Sequence, residues 1–325
     1  MSVGRSDQAT AQAAIATLAF FDIFNYPLTA LEIWRWLYQQ PAGFAELLDT
    51  LERLRANSRI GSSNGYFFLA GRKAILEQRF ARYQLAEHKY RIALRAARVL
   101  RFVPFVEGIA VCNTLGYSNA AKESDIDFFI VARHGRIWLV RLLVTALVSG
   151  MGIRRHGQKI ADRVCLSFYV SDAHLDISDI ALDAEDIYLV YWLATLVPIY
   201  DRQEHDQQCS VYQRLLKENV KLHERLPNFF SCFPNQRRRT HDSRPGLTWR
   251  RSIEYLLGGA VGNGLENLSR TLQLEKMKHT VAAVGHQPNA RVLVSDQMLK
   301  FHEQDRREEY RMRWRQRVAA LDAYQ

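Results

Sequence analysis

The stretch Val106–Val131, VEGIAVCNTLGYSNAAKESDIDFFIV, decides how this chain is read. Its first run, Gly108–Cys112, is a short apolar strand. Its second, Asp125–Val131, is apolar apart from two acids, and a polar loop with Asn113, Thr114, Gly116, Ser118 and Asn119 joins them. Asp125 and Asp127 stand two apart on a strand, so their side chains leave the same face. Two carboxylates at the head of a buried strand repel each other and are costly without a counter-charge. A divalent metal resolves that conflict. Mg²⁺ takes one or two carboxylates together with phosphate oxygens and water, and a pair of such ions stabilises the attacking and leaving oxygens of nucleotidyl transfer. The preceding turn offers backbone N–H groups and the Thr114 hydroxyl to phosphates. The pair is also readable as a solvated strand entry after a turn.

Outward from this stretch, residues 10–75 read as a small helical module closed by a hairpin. Ala11–Phe24 has helical period, and Asn25-Tyr26-Pro27 breaks it. Thr29 and Glu32 form a capping box for Ala30–Tyr38, and Phe44, Leu47, Leu48, Leu51 and Leu54 give Phe44–Asn57 an apolar stripe. Asn64-Gly65 between Arg59 and Leu69 is a strong hairpin signal, because both residues tolerate positive φ. Three helices and a hairpin make a winged-helix-like pattern. The third helix carries Glu46, Asp49 and Glu52 against Arg53 and Arg55, a poor phosphate-tracking surface, so packing or protein contact is favoured over DNA reading.

A basic helix over Ile75–Arg101 comes next, then the Val106–Val131 unit, an apolar helix after Arg136 and a strand over Arg163–Val170. From Ile187 onward the chain reads as mostly helical, with a loop-like interval at Pro227–Pro245. The apolar runs Ile137–Ile153 and Ile187–Tyr200 are broken by Arg141 and Pro198. Both fall short of the roughly 18–20 clean apolar residues of a spanning helix, so both are expected to be core helices and no transmembrane segment is expected.

The formal net charge is +10 over 325 residues, with dense clusters at Gln236–Thr240 and Arg306–Arg317, which favours polyanionic partners. A hydrophobic content of 48% excludes global disorder. Cys112, Cys165, Cys209 and Cys232 lack metal or disulfide-framework spacing; Cys112 and Cys165, each in an apolar strand-like run, are expected to be buried free thiols, which fits the cytoplasm, and Met1–Gln8 lacks the order of a signal peptide. No Walker loop, G-x-G-x-x-G or Ser/His/Asp nucleophile motif is present. Tyr310 and Trp314 among the C-terminal arginines suit nucleic-acid contact or a solvated amphipathic helix equally. Tyr188, Tyr191 and Trp192 read as core, Asp183–Asp186 as acids at a helix start, and Arg154-Arg155-His156 with Lys159 as a helix-end charge run or a grip on phosphate.

Asn113-Thr114, a spacer of ten residues, and Asp125-Ile126-Asp127 together resemble the signature of the DNA polymerase β-like nucleotidyltransferase superfamily. That signature is a glycine-serine or glycine-glycine pair after a strand, then a like spacer, then acid-hydrophobic-acid opening the next strand. The likeness covers about residues 90–175. Phe21–Thr29 and Cys165–Tyr169 extend it to a bacterial group of nucleotidyltransferase-domain proteins with no established substrate. The resemblance implies an α+β fold: a small mixed nucleotidyltransferase sheet with flanking helices (residues 76–180), after a winged-helix-like module (1–75) and before a mostly helical region (181–325). It implies an enzyme that moves a nucleoside monophosphate from an NTP to an acceptor (a small molecule, protein or RNA). Asp125 and Asp127 would hold Mg²⁺, as two ions, and Asn113, Thr114 and Ser124 would meet the nucleotide. A protein partner is expected at residues 1–75.

Two departures stand out. Asn113 replaces a glycine, and the strand Arg163–Val170 lacks the third acid of many active members. Cys165 or Ser167 is left in that place, Asp172 and Asp176 lie beyond the strand, and Glu123 is the acid expected to reach in if one does. A nucleotide sensor or scaffold without efficient chemistry is the alternative, and a nucleic-acid-binding regulator a weaker one.

Overall fold

The computed structural model describes residues 2–182, 185–202, 210–230, 236–285, 291–302 and 305–322. The chain is a mixed α+β protein with two sheets. Near the N-terminus, α1 (Ser2–Asp22), α2 (Ala30–Arg35) and α3 (Phe44–Ala56) pack around a three-stranded sheet of β1 (Leu28–Thr29), β2 (Ile60–Ser63) and β3 (Tyr66–Leu69), in the order β1-β3-β2. The capping box starts α2: Thr29 Oγ1 accepts from Glu32 N at 3.2 Å, and the Glu32 carboxylate accepts from Thr29 N at 2.8 Å. Asn64 and Gly65 turn the hairpin with φ of 54° and 78°, the paired positive values that match strand twist. On α3, Arg53 pairs with Asp7 and Arg55 with Glu52, so both arginines face carboxylates of this chain.

The long helix α4 (Ile75–Leu100) leads into the larger sheet. Its strands are β4 (Val106–Val111), β5 (Ile126–Ala132), β6 (Val164–Ser171), β7 (Val197–Asp201), β8 (Arg291–Val294) and β9 (Met298–His302), in the order β7-β4-β5-β6-β9-β8. β5 and β6 run parallel and every other neighbouring pair is antiparallel. The one-turn α5 (Asn113–Gly116) follows β4, and α6 (Ile137–Gly150) makes the crossover from β5 to β6. Alternation sorts the strand residues onto two faces. Ile109, Phe128, Ile130 and Tyr169 join the core under α4 and α6, while Ala110, Phe129, Val131, Phe168 and Val170 join the core of the opposite face. That second face is covered by α7 (Ile187–Ala194) and continues into α1 and α12 (Arg307–Asp322).

The region after residue 181 is richer in strand than its sequence suggests. Ile187–Tyr200, read as one core helix, divides at Thr195-Leu196 into α7 and β7. Pro198 explains the break: it cannot donate to a ladder or continue a helix, and β7 is an edge strand, where proline is tolerated. β8 and β9 also come from this region, as the far edge of the sheet. Its helices are α7, α8 (Val211–Glu218), α9 (Val220–Arg225), α10 (Arg244–Leu256), α11 (Ala260–Gly285) and α12. No described helix is long and apolar enough to cross a membrane. Cys112 and Cys165 are buried free thiols, whereas Cys209 and Cys232 lie outside the described residues.

Candidate functional site

The site forms where β4 ends beside the start of β5. Cys112 N donates to Asp127 O at 3.2 Å, which brings the residue after Cys112 alongside the Asp127 side chain. Asn113 then turns with φ 57°, a left-handed conformation that asparagine adopts more readily than most residues. The residue in the glycine's place therefore supplies the backbone bend a glycine would. Asn113 Nδ2 donates to Asp127 Oδ2 at 2.7 Å, and Asn113 Oδ1 accepts from Trp192 Nε1 at 3.0 Å and Tyr188 Oη at 3.1 Å. An indole N–H can only donate, so the amide has one sensible orientation, with its NH₂ toward the carboxylate. Tyr188 and Trp192 thus serve both core and site, more than the packing role their spacing indicates.

Close approach shapes the same turn. A Cβ on Gly116 would lie 2.2 Å from Thr195 O, so α5 seats against the end of α7 only with glycine there. Thr114, half-buried, stands in that turn beside Asn113.

Asp125 sits one residue before β5, and Arg155 Nη1 donates to its Oδ2 at 2.7 Å. Parallel pairing sets Asp127 opposite Cys165 on β6. One ligand atom each from Asp125, Asp127 and Cys165 lie within 4.8 Å of one another, the donor set a metal ion would need. Cys165 is the third member of that group. Glu123 is exposed and outside that group. Asp172 accepts from His134 N near the far end of β5 and β6, and Asp176 accepts from Ser178 N.

Burial and the neighbouring Asp125 push the Asp127 carboxyl up to about 6, against the pull of Asn113, Cys165 and Arg155. Burial, with Asp127 beside it, pushes the Cys165 thiol up to about 12, and burial raises Cys112 too. Without a metal, Cys165 is therefore a protonated thiol at neutral pH. Arg155 Nη1 also lies 3.7 Å from Cys165 Sγ, so one guanidinium spans the group.

Ser124 lies in the turn just before Asp125. Its hydroxyl donates to Ala121 O at 2.9 Å, holding the turn. The anchor of that turn is Lys89, in the middle of α4 and 1% exposed, which sequence reasoning missed. Its ammonium donates to Ser124 O and Asp162 Oδ1, each at 2.7 Å, and to Lys122 O at 3.3 Å. The signal was a lysine among Ala86, Tyr90 and Ala93 on the buried stripe of α4. Arg155, read within a charge run, is the other functional residue assembled only by the fold.

A cleft opens beside Asn113, on the side of the sheet covered by α7. Phe168, Tyr188, Trp192 and Tyr310 line it with Lys300 and Arg306 around a cavity of about 140 Å³. Tyr310 stacks on Tyr188 at 5.3 Å between centroids. Trp314, by contrast, is buried, and its indole donates to Ala16 O at 2.9 Å, so it presents no face for base stacking. Arg307 pairs with Asp186 and Asp305, and Arg317 with Asp22. Asp186 caps α7, accepting from Leu189 N at 3.0 Å, and Glu185 pairs with Arg315. Asp183 lies outside the described residues.

Comparison with family models, with curated proteins and with solved structures finds no match in any of the three.

Proposed function

We propose that the chain is a metal-dependent nucleotidyltransferase that moves a nucleoside monophosphate from an NTP to an acceptor. The observation that carries this is the meeting of Asp125, Asp127 and Cys165 at the turn between β4 and β5, next to an aromatic and cationic cleft. The finer fold reading belongs with it: residues 1–75 as a winged-helix-like module, and the β4-turn-β5 unit with β6 as a nucleotidyltransferase-type sheet. Three helices with an antiparallel hairpin support the first, and strand, polar turn, acid-bearing strand and parallel neighbour support the second.

In this reading Asp125 and Asp127 would hold Mg²⁺, which would supply neutralisation of the phosphate charge. Asn113 fixes the rotamer of Asp127 through its 2.7 Å bond, and Tyr188 and Trp192 fix Asn113 in turn. Asn113 and Thr114 contact the phosphates. An acceptor hydroxyl or amine, held in the cleft by Lys300, Arg306 and the aromatic walls, gives its proton to water and bonds to the α-phosphorus. The bond from that phosphorus to the bridging oxygen breaks, and pyrophosphate leaves.

A second reading, a nucleotide-binding sensor without efficient chemistry, is favoured by two observations: Arg155 on Asp125, and a thiol where a carboxylate would complete the acids. Mn²⁺ electron paramagnetic resonance tests the metal directly. Wild type should immobilise Mn²⁺ in the presence of ATP and the Asp125→Asn variant should not; equal immobilisation by both would contradict the assignment. Thiolates favour softer metals and carboxylates favour Mg²⁺. Cys165→Asp should therefore lower the Mg²⁺ concentration at which ATP binding is half-maximal. An unchanged Mg²⁺ requirement would remove Cys165 from the site.

A further inference from the structure

The helix α11 is apolar on both sides. Its inward face packs Leu274 and Met277 on the core and carries buried polar anchors: the Glu266 carboxylate accepts from Trp138 N and Leu139 N at 2.9 and 2.8 Å, and Gln273 Nε2 donates to Trp138 O at 2.8 Å. Ser269 is buried on the same face. The outward face carries Val261, Leu265, Leu268 and Leu272, all exposed, at spacings of four, three and four residues. These spacings make one continuous apolar stripe along a helix. The preceding helix, α10, also exposes large apolar side chains. Its inner side is charged, with Arg250 on Asp242 and Glu254 on Arg202, while Trp249, Tyr255 and Leu256 stand outside. Tyr255 is 87% exposed and Leu256 69%, values foreign to a face with nothing to cover it.

The charge around this stripe says what covers it. Among the described residues, the exposed charged side chains of α10 and α11 are Arg244, Arg251, Arg270, Lys276 and Lys278 against one carboxylate, Glu275. Asp296, paired with Arg270, adds one more acid from outside the two helices. A second copy would bring the same cations against these, with few acids to meet them. An anionic bilayer supplies both halves of the complement. Its acyl boundary takes the leucine stripe, its headgroup layer suits Trp249 and Tyr255, and its negative charge attracts the flanking cations. At 26 residues, α11 is about 39 Å long and lies in the plane of such a surface without crossing it.

We infer that the α10–α11 face docks the protein on an anionic lipid surface as a peripheral, in-plane contact. This stands apart from the acid site and does not depend on its chemistry. The experiment is co-sedimentation of the full chain with vesicles of phosphatidylcholine and phosphatidylglycerol in equal parts, and with phosphatidylcholine alone.

Wild type should partition at least about tenfold more strongly onto the anionic vesicles. Leu265→Gln/Leu268→Gln/Leu272→Gln should lose at least about tenfold of that binding. Arg251→Gln/Lys276→Gln should lose roughly tenfold, and added salt should weaken wild-type binding in the same direction. All five positions are exposed, and an unchanged circular dichroism spectrum confirms that each variant keeps the fold. Failure of wild type to bind anionic vesicles, or equal binding by the leucine variant, would overturn the inference. So would a wild-type dimer in light scattering that ignores vesicles and dissociates in the leucine variant, which would assign the face to a second copy.

Discussion

Asp127→Asn should make the metal-free protein more stable at neutral pH while abolishing metal-dependent nucleotide binding. The Asp127 carboxyl stands at about 6 in the fold, because burial and Asp125 both disfavour its charge. An unfolded aspartate titrates near 3.9. Between these values the native state holds a proton that the unfolded chain has released, so stability falls as pH rises through that window and stays lower above it. Each pH unit of that window is worth about 1.4 kcal/mol, so the ionised residue costs up to about 3 kcal/mol, less whatever water reaching this half-buried side chain recovers. An asparagine there still accepts from Asn113 Nδ2 and carries no charge. Thermal unfolding from pH 4 to 8 without metal should show the wild-type curve declining and the variant flatter, with the variant ahead at pH 7 by about 1–3 kcal/mol. A variant less stable than wild type at pH 7 would mean that Asp127 is a structural carboxylate, paired well enough to stabilise the fold. Mg²⁺ with nucleotide should reverse the order, raising wild type and leaving the variant unmoved.

The second large effect belongs to Lys89. Its ammonium ties α4 to two carbonyls of the Lys122–Ser124 turn and to Asp162, with almost no access to water. Lys89→Met keeps the stem and removes that donor, although Ser124 O still accepts from Asp162 N at 3.3 Å. A buried acceptor left unsatisfied costs about 1–3 kcal/mol, while Asp162 is half exposed and recovers by hydration. Urea unfolding should show a loss of about 2–4 kcal/mol. The turn that aims Asp125 loosens with it, so nucleotide affinity should fall although Lys89 is outside the metal group. A loss under about 0.5 kcal/mol would show that the turn holds itself.

Local chemistry was the legible part of this chain. Asn64-Gly65 declares its hairpin because both positions need positive φ, and Thr29 with Glu32 declares a helix start because the two side chains satisfy each other's backbone donors. The strand-turn-strand at Val106–Val131 is legible for a similar reason, since two apolar runs flank residues that tolerate a bend. The edges of the larger sheet were not. Val197–Asp201 is as apolar as the helix before it, and a fully apolar run carries no period to separate the two. β9 becomes a strand by pairing with β6 across more than a hundred residues of sequence, which no local pattern records.

The candidate site divides the same way. Asp125, Asp127 and Asn113 belong to one local motif. Cys165 enters through the parallel register with Asp127, Arg155 through a loop after α6, and Lys89 from a helix whose buried stripe otherwise reads as alanine and tyrosine. Asn113 itself adopts the positive φ of the turn after β4.

Calorimetric titration of ATP, CTP, GTP and UTP, each with Mg²⁺, into wild type and into Asp125→Asn/Asp127→Asn tests the central reading most directly. Heat from at least one nucleotide that requires both the metal and the two aspartates is the expected result. Binding that survives in the double variant, or no binding of any nucleotide to wild type, would contradict it.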